Sequence, residues 1–288
     1  MITAYGRVDS GTVLTLNNPI RKNLIASIEL FKRDSISGTT ILDNSGNNNH
    51  LKVWGDQGII LDDFNIMTFN ANASPQNQQT YITGLDSEVN NNLKPWVPTG
   101  VGNAVTPRTR TYVFWMALNA VDSDMNPIAS PDIRNHLMRI TNGTRTDESI
   151  GFEYAITPDP AIIASWKDSD ADIYSSILVN TSSGLRDDVM RMYTVIWDAA
   201  GSIVRININD ASGAQTSGWF RTIFPFSEIS DPSNDGVFVI NAAQLPTEND
   251  LAYSSTPMRM AAFYAYDWAL ADSDLKVIYE GMEILKKY

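Results

Sequence analysis

The stretch from Met192 to Asp210 constrains the fold of this chain more than any other. Tyr193, Val195 and Trp197 lead into a turn-forming segment, Asp198–Ser202. Beyond it Val204, Ile206 and Ile208 fall on one side of an extended backbone, and Arg205, Asn207 and Asn209 on the other. A period of two is the signature of a strand, because successive side chains of extended backbone point to opposite faces. The spacing predicts a β-hairpin with one apolar and one wet face, the usual condition of an antiparallel sheet.

Other segments agree with that reading. Tyr112, Phe114 and Met116 alternate with Val113, Trp115 and Ala117, so both registers are apolar. This predicts a strand covered on both faces or one bearing an aromatic binding surface. Leu24–Phe31, Val237–Ile240 and Met258–Tyr266 read as further strands. Helix is scarce: only Asp274–Lys286 places Leu275, Ile278, Tyr279 and Met282 at helical spacing on one side. Asp272 is a candidate cap for it, and Gly281 weakens its last turns. Many strands, long polar loops and a terminal helix predict an all-β sandwich of two antiparallel sheets. A parallel α/β fold would need crossover helices that the sequence does not offer.

Composition narrows the chemistry. With 21 basic and 33 acidic residues, the net charge of −12 opposes non-specific adhesion to nucleic acid or anionic membranes. The absence of cysteine removes disulfides, thiolate metal sites and cysteine nucleophiles. Two histidines, His50 and His136, exclude a three-histidine metal centre within one chain. Met1–Ile20 lacks the basic and apolar regions of a secretion signal, and no run is apolar enough to span a bilayer. The expectation is a chain without membrane insertion: cytoplasmic, exported without a recognisable signal peptide, or released from a cell by lysis. A lead-in that could serve as a docking segment is expected over residues 1–40, and one continuous body over 41–288.

Two segments carry a family resemblance. Asp43-Asn-Ser-Gly-Asn-Asn-Asn-His50 resembles the Asp-x-Ser-Gly-x-x-x-His signature near the start of concanavalin A-like, laminin-G-like jelly-roll domains. Ala262–Tyr279 is similar to the closing segment of that superfamily, with Ala269-Leu270 before a short helix that reaches Ile278-Tyr279. Between them, Met192–Asp198 and Ser202–Asp210 resemble its central hairpin. The resemblance implies a jelly-roll sandwich, often with a glycan site on the concave sheet or in rim loops. It also marks Asp43, Gly46, His50, Leu270, Leu275 and Tyr279 as structural signature residues. Departures include Ala271, where a Ser or Thr often starts the helix, and a long insertion, Asn119–Ala171.

Candidate site residues follow. Asp168, Asp170 and Asp172 space carboxylates like the start of a calcium loop, but Ile173 and Val179 stand where the helix–loop–helix motif needs Gly and Glu. A solvated acidic loop is the first reading and a Ca²⁺ site the second; no other cofactor is implied. His50 and Asp43 read as braces of a turn rather than as a general base or ligand. Trp115 and Trp197 sit in alternating strands and read as core. Trp54, Trp96, Trp166 and Trp219 lie in or beside polar turns. They are either sugar-stacking residues, since an indole accepts the C–H face of a pyranose, or anchors that pack loops.

Catalytic patterns are missing. The Glu-x-Asp-x-x-Glu strand of the glucanase branch has no match; Glu148–Glu153 keeps the outer glutamates with Gly151 inside and no aspartate. Lipase, dinucleotide and phosphate-loop motifs are absent. The leading expectation is a non-enzymatic bacteriophage virion part, in a receptor-binding, baseplate or decoration role. Its partner would be a surface polysaccharide or another virion protein, and it would act as a homo-oligomer. The alternatives are a glycoside hydrolase with an unrecognised carboxylate pair, a virion assembly protein without glycan binding, and a cytoplasmic structural protein.

Overall fold

A computed structural model of the chain describes residues 21, 23–31, 35–55, 60–61, 66–69, 80–98, 105–118, 135–141, 150–155, 161–167, 174–180, 185, 188–201, 203–209, 215–221, 236–242 and 258–282. The strands begin with β1 (Leu24–Glu29), β2 (Ile36–Ser37), β3 (Thr40–Ile41), β4 (Leu51–Trp54), β5 (Ile60–Leu61), β6 (Met67–Phe69) and β7 (Tyr81–Gly84). A short helix, α1 (Ser87–Leu93), precedes β8 (Trp96–Pro98), β9 (Val105–Pro107), β10 (Arg110–Leu118), β11 (Asn135–Thr141), β12 (Ile150–Ala155) and β13 (Ala161–Lys167). Then come β14 (Tyr174–Asn180), β15 (Met190–Asp198), β16 (Ile203–Asn209), β17 (Gln215–Arg221), β18 (Val237–Ile240), β19 (Met258–Tyr266) and α2 (Asp272–Gly281).

These strands form a two-sheet antiparallel β-sandwich. The first sheet runs β17-β16-β15-β10-β19-β6-β5, with β1 also paired to β19. The second runs β14-β13-β12-β11-β18-β7-β4-β3-β2, and β8 and β9 form a separate ribbon. The hairpin read from sequence is β15–β16, with Tyr193 opposite Ile208 and Trp197 opposite Val204. Because β1 is hydrogen-bonded to β19 from Leu24 onward, the expected lead-in already belongs to the sandwich from that residue. The expected insertion holds β11, β12 and β13, three neighbouring strands of the second sheet.

The core lies between the sheets. Tyr112, Phe114 and Phe263 of the first sheet meet Phe152 and Phe238 of the second, with Phe114–Phe152 ring centres 6.0 Å apart and Phe238–Phe263 5.4 Å. A second apolar layer covers the opposite face of the first sheet. There Val113, Trp115, Tyr264 and Tyr266 lie under Leu275, Ile278 and Tyr279 of α2 and Met282 just beyond it. Trp115 stacks on Tyr279 at 5.5 Å. Both registers of β10 are therefore apolar because both faces are buried.

Two expectations are corrected by this layering. The hairpin face bearing Arg205, Asn207 and Asn209 is not wet: Asn207 is fully buried and Asn209 nearly so. The opening of α2 is held by Asp274, whose Oδ2 accepts the Ala271 N–H at 2.9 Å, while Asp272 pairs with Arg205 at 3.0 Å. The helix ends at Gly281, a poor helix former, within the described residues.

Candidate functional site

The Asp43–His50 turn fixes the strand that carries the site. Asp43 Oδ1 accepts the N–H groups of Ser27 and Ser45, both at 2.8 Å. Its Oδ2 accepts the Asn49 N–H at 2.9 Å and the Ser45 hydroxyl at 2.7 Å. His50 Nδ1 accepts the Asp43 N–H at 2.9 Å. Asn47 and Asn49 donate side-chain amides to the carbonyls of Leu24 and Ile25. Gly46 turns with φ 93°, in open space, so backbone freedom rather than crowding selects glycine there. The turn thus bolts β1 to the second sheet and leads directly into β4.

In β4, Leu51 and Val53 enter the core, so alternation sends Lys52 and Trp54 to the outer face of the second sheet. The neighbouring β7 places Tyr81 opposite Trp54 and Thr83 opposite Lys52. Trp54 Nε1–H donates to Thr83 Oγ1 at 2.8 Å, and Thr83 passes its own proton to the Gly84 carbonyl at 2.9 Å. The Tyr81 and Trp54 rings are parallel within 7°, their centres 6.1 Å apart. Lys52 Nζ stands 3.7 Å from the centre of the Trp54 ring. Each of these contacts stabilises the indole by about 0.5–1.5 kcal/mol, and together they fix its plane.

The result is a rigid aromatic plate under an ammonium group. Trp54 remains 39% exposed, whereas Tyr81 and Thr83 are buried beneath it. Burial pushes the Tyr81 phenol up to about 12, so it stays neutral across the physiological range. Such a plate can stack on the C–H face of a sugar ring, and its ammonium can meet a carboxylate. Tyr81 and Thr83 escaped sequence reasoning because each matters only through cross-strand pairing, and Lys52 because its contact is with a residue two places along the same strand.

The remaining candidates are dispersed. Trp96 is 1% exposed and belongs to the sandwich core. The polar turns around it suggested a sugar contact; the β8–β9 ribbon instead turns its indole inward, where no glycan reaches it in this conformation. Trp166 lies in β13 opposite Ile150 and Ser175, and Trp219 in β17 opposite Arg205. Their side chains, and that of His136, lie outside the described residues, as do Asp168, Asp170 and Asp172. Among the described residues, no group of three or more metal-ligating side chains comes together. None of the described helices is long and apolar enough to cross a membrane.

A further aromatic, Trp268, went unremarked in the sequence because it falls inside the closing segment of the family resemblance. It is 58% exposed in the turn between β19 and α2. Leu270 is buried in that turn, its N–H donated to Thr111 Oγ1 at 3.2 Å. Leu275 and Tyr279 are buried on the inner side of α2.

No family model matches the chain, and no curated protein matches it by sequence. Solved structures do match. A structure of botulinum neurotoxin type C, whose cell entry depends on interaction with two ganglioside molecules, aligns with TM-score 0.58 and 13% identity over 91% of this chain and 52% of its own. The botulinum neurotoxin serotype D ligand binding domain in complex with N-acetylneuraminic acid aligns with TM-score 0.56 and 14% identity, over 91% and 51%. The serotype G binding domain gives 0.54 and 16%, over 90% and 51%. The chain thus spans about half the length of these structures, and the likeness establishes the fold.

Proposed function

We propose that this chain is a non-catalytic recognition module that binds an acidic sugar on the outer face of its second sheet, through Trp54 and Lys52. The observation that carries the reading is the ammonium poised 3.7 Å over a pinned, partly exposed indole. A neutral sugar that takes that ring face must displace Lys52, losing about 0.5–1 kcal/mol of cation–π attraction. A sugar carboxylate offers the displaced ammonium a charge-assisted hydrogen bond of about 1.5–3 kcal/mol. The balance favours acidic over neutral ligands. The N-acetylneuraminic acid and ganglioside named for the fold relatives are in keeping with this class, though this chain spans only about half the length of those structures.

A single plate of this kind binds weakly, and the charge of −12 repels acidic polymers once they come within about 8 Å, the screening length at physiological salt. Useful adhesion therefore calls for several copies, since linked weak sites raise avidity by roughly 10²–10⁴. We place the module in a homo-oligomer carried on a virion, as a receptor-binding or decoration part. Sequence resemblance and the absence of recognised catalytic motifs support that setting.

A glycan array paired with an assay for released reducing ends tests the reading. Binding of sialylated or uronic-acid glycans that Trp54→Ala abolishes, with no release of reducing ends, is the expected result. Release of reducing ends by the wild-type chain overturns the non-catalytic reading. Acidic-glycan binding that survives Trp54→Ala overturns the assignment of the site.

A further inference from the structure

The turn between β19 and α2 is built like a mount. Asp267 N–H donates to the Asn23 carbonyl at 2.9 Å, and the buried Thr111 hydroxyl donates to the Trp268 carbonyl at 2.6 Å. Thr111 Oγ1 in turn accepts the Leu270 N–H, and Arg205 donates to the Leu270 carbonyl while pairing with Asp272 at 3.0 Å. The backbone of Asp267, Trp268 and Leu270 is thereby fastened to the lead into β1, to β10 and to β16. Yet the Trp268 ring makes no aromatic contact among the described residues and faces water over more than half its surface. Asp267, Ala271, Asp272 and Ser273 around it in sequence are exposed.

We infer that Trp268 and Asp267 form a second ligand subsite, one that takes a neutral pyranose. This rests on the reading of the chain as a glycan-recognition module and adds a ligand class opposite to that of the Trp54 plate. The backbone that carries the indole is fastened at Asp267, Trp268 and Leu270, so little main-chain freedom is lost on binding, and preorganisation of this kind favours a small ligand. No ammonium lies over this ring among the described residues, so a neutral sugar displaces nothing. The exposed Asp267 carboxylate, next in sequence and within electrostatic reach of Arg110, accepts hydrogen bonds from sugar hydroxyls. A protein partner fits the surface less well. Stable protein interfaces bury about 800 Å² per side around an apolar centre depleted in charge, and here one indole stands among exposed carboxylates and small residues.

The test is ¹⁹F NMR of the full chain containing 5-fluorotryptophan, with the Trp268 and Trp54 signals assigned from Trp268→Phe and Trp54→Phe. The probes are methyl glycosides of the common neutral hexoses and N-acetylhexosamines, with 3′-sialyllactose alongside. A neutral glycoside is expected to move the Trp268 signal saturably, with a dissociation constant in the millimolar range, and to leave the Trp54 signal in place. Asp267→Asn, at an exposed position, is expected to weaken that binding roughly tenfold, the equivalent of one charge-assisted hydrogen bond. If no member of the panel moves the Trp268 signal, the inference fails, whatever sialyllactose does at Trp54. If the signal moves with protein concentration instead, the indole is a contact between copies and the inference also fails. Movement of Trp268 by a neutral glycoside, with Trp54 silent to every acidic probe, would retain this subsite and remove the Trp54 reading.

Discussion

Replacing Asp43 tests how the chain holds β4, and with it the Trp54 plate, in position. Its four acceptor contacts are divided evenly: Oδ1 takes two backbone N–H groups, and Oδ2 takes the Asn49 N–H and the Ser45 hydroxyl. Asn at this position keeps one oxygen and must turn an NH₂ towards two donors. Only on the Oδ2 side can a partner adapt, because the Ser45 hydroxyl rotates to accept. Asp43→Asn therefore costs one bond and leaves the buried Asn49 N–H without an acceptor, about 1–3 kcal/mol. Asp43→Ala also strands the Ser27 N–H, at another buried residue, and the expected cost rises to roughly 2–6 kcal/mol. Urea unfolding of wild type and both variants, with unchanged m-values, gives the two differences. If Ala costs no more than Asn, or either costs less than about 0.5 kcal/mol, the range of an unremarkable surface site, the hub assignment is wrong.

Other expectations follow from burial elsewhere. Leu275 is enclosed in the layer between α2 and the first sheet, so Leu275→Ala should cost about 2–4 kcal/mol in the same assay; a cost typical of an exposed residue would mean that α2 does not cover the sheet. A Cβ on Gly84 would sit 2.7 Å from Asn90 Oδ1, which accepts the N–H groups of Gly84 and Phe238. Gly84→Ala should therefore lose about 1–3 kcal/mol and loosen α1, whereas a neutral result would show that Asn90 is free to move. Burial raises the phenols of Tyr81, Tyr112, Tyr264 and Tyr266 above the ordinary 10.0, Tyr81 to about 12. Since these groups ionise first in the unfolded chain, their contribution is complete below pH 10.0 and lost as pH climbs through the folded values. Ultraviolet titration should show four tyrosines ionising only with unfolding; smooth ionisation near 10 without loss of structure would contradict their burial.

What was legible in the sequence was local. The β15–β16 hairpin and the doubly buried β10 announce themselves by alternation within one segment, and the stripe of α2 by helical spacing. The far half of the second sheet was hidden. Ala161–Lys167 and Tyr174–Asn180 mix Ala and Ser into their apolar runs, and their strand character comes from pairing with each other and with β12. Depth was also illegible where layers come from distant parts of the chain. Asn207 alternates like a surface residue, but it is fully buried. Trp96 has a turn-like neighbourhood and a core position. At the site, only Trp54 could be singled out, because its partners Tyr81 and Thr83 lie 27 and 29 residues along the chain and reach it through strand pairing.

The central claim is that Lys52 and Trp54 together select an acidic sugar. Calorimetric titration of sialylated and uronic-acid oligosaccharides, with their neutral counterparts, into wild type, Lys52→Gln and Trp54→Ala measures this directly. Wild type should prefer the acidic member of a pair by roughly tenfold, the worth of one charge-assisted hydrogen bond, and more at low salt. Lys52→Gln should erase the preference and its salt dependence, and Trp54→Ala should remove binding. Equal affinities for acidic and neutral members, or a preference unchanged in Lys52→Gln, would contradict the account.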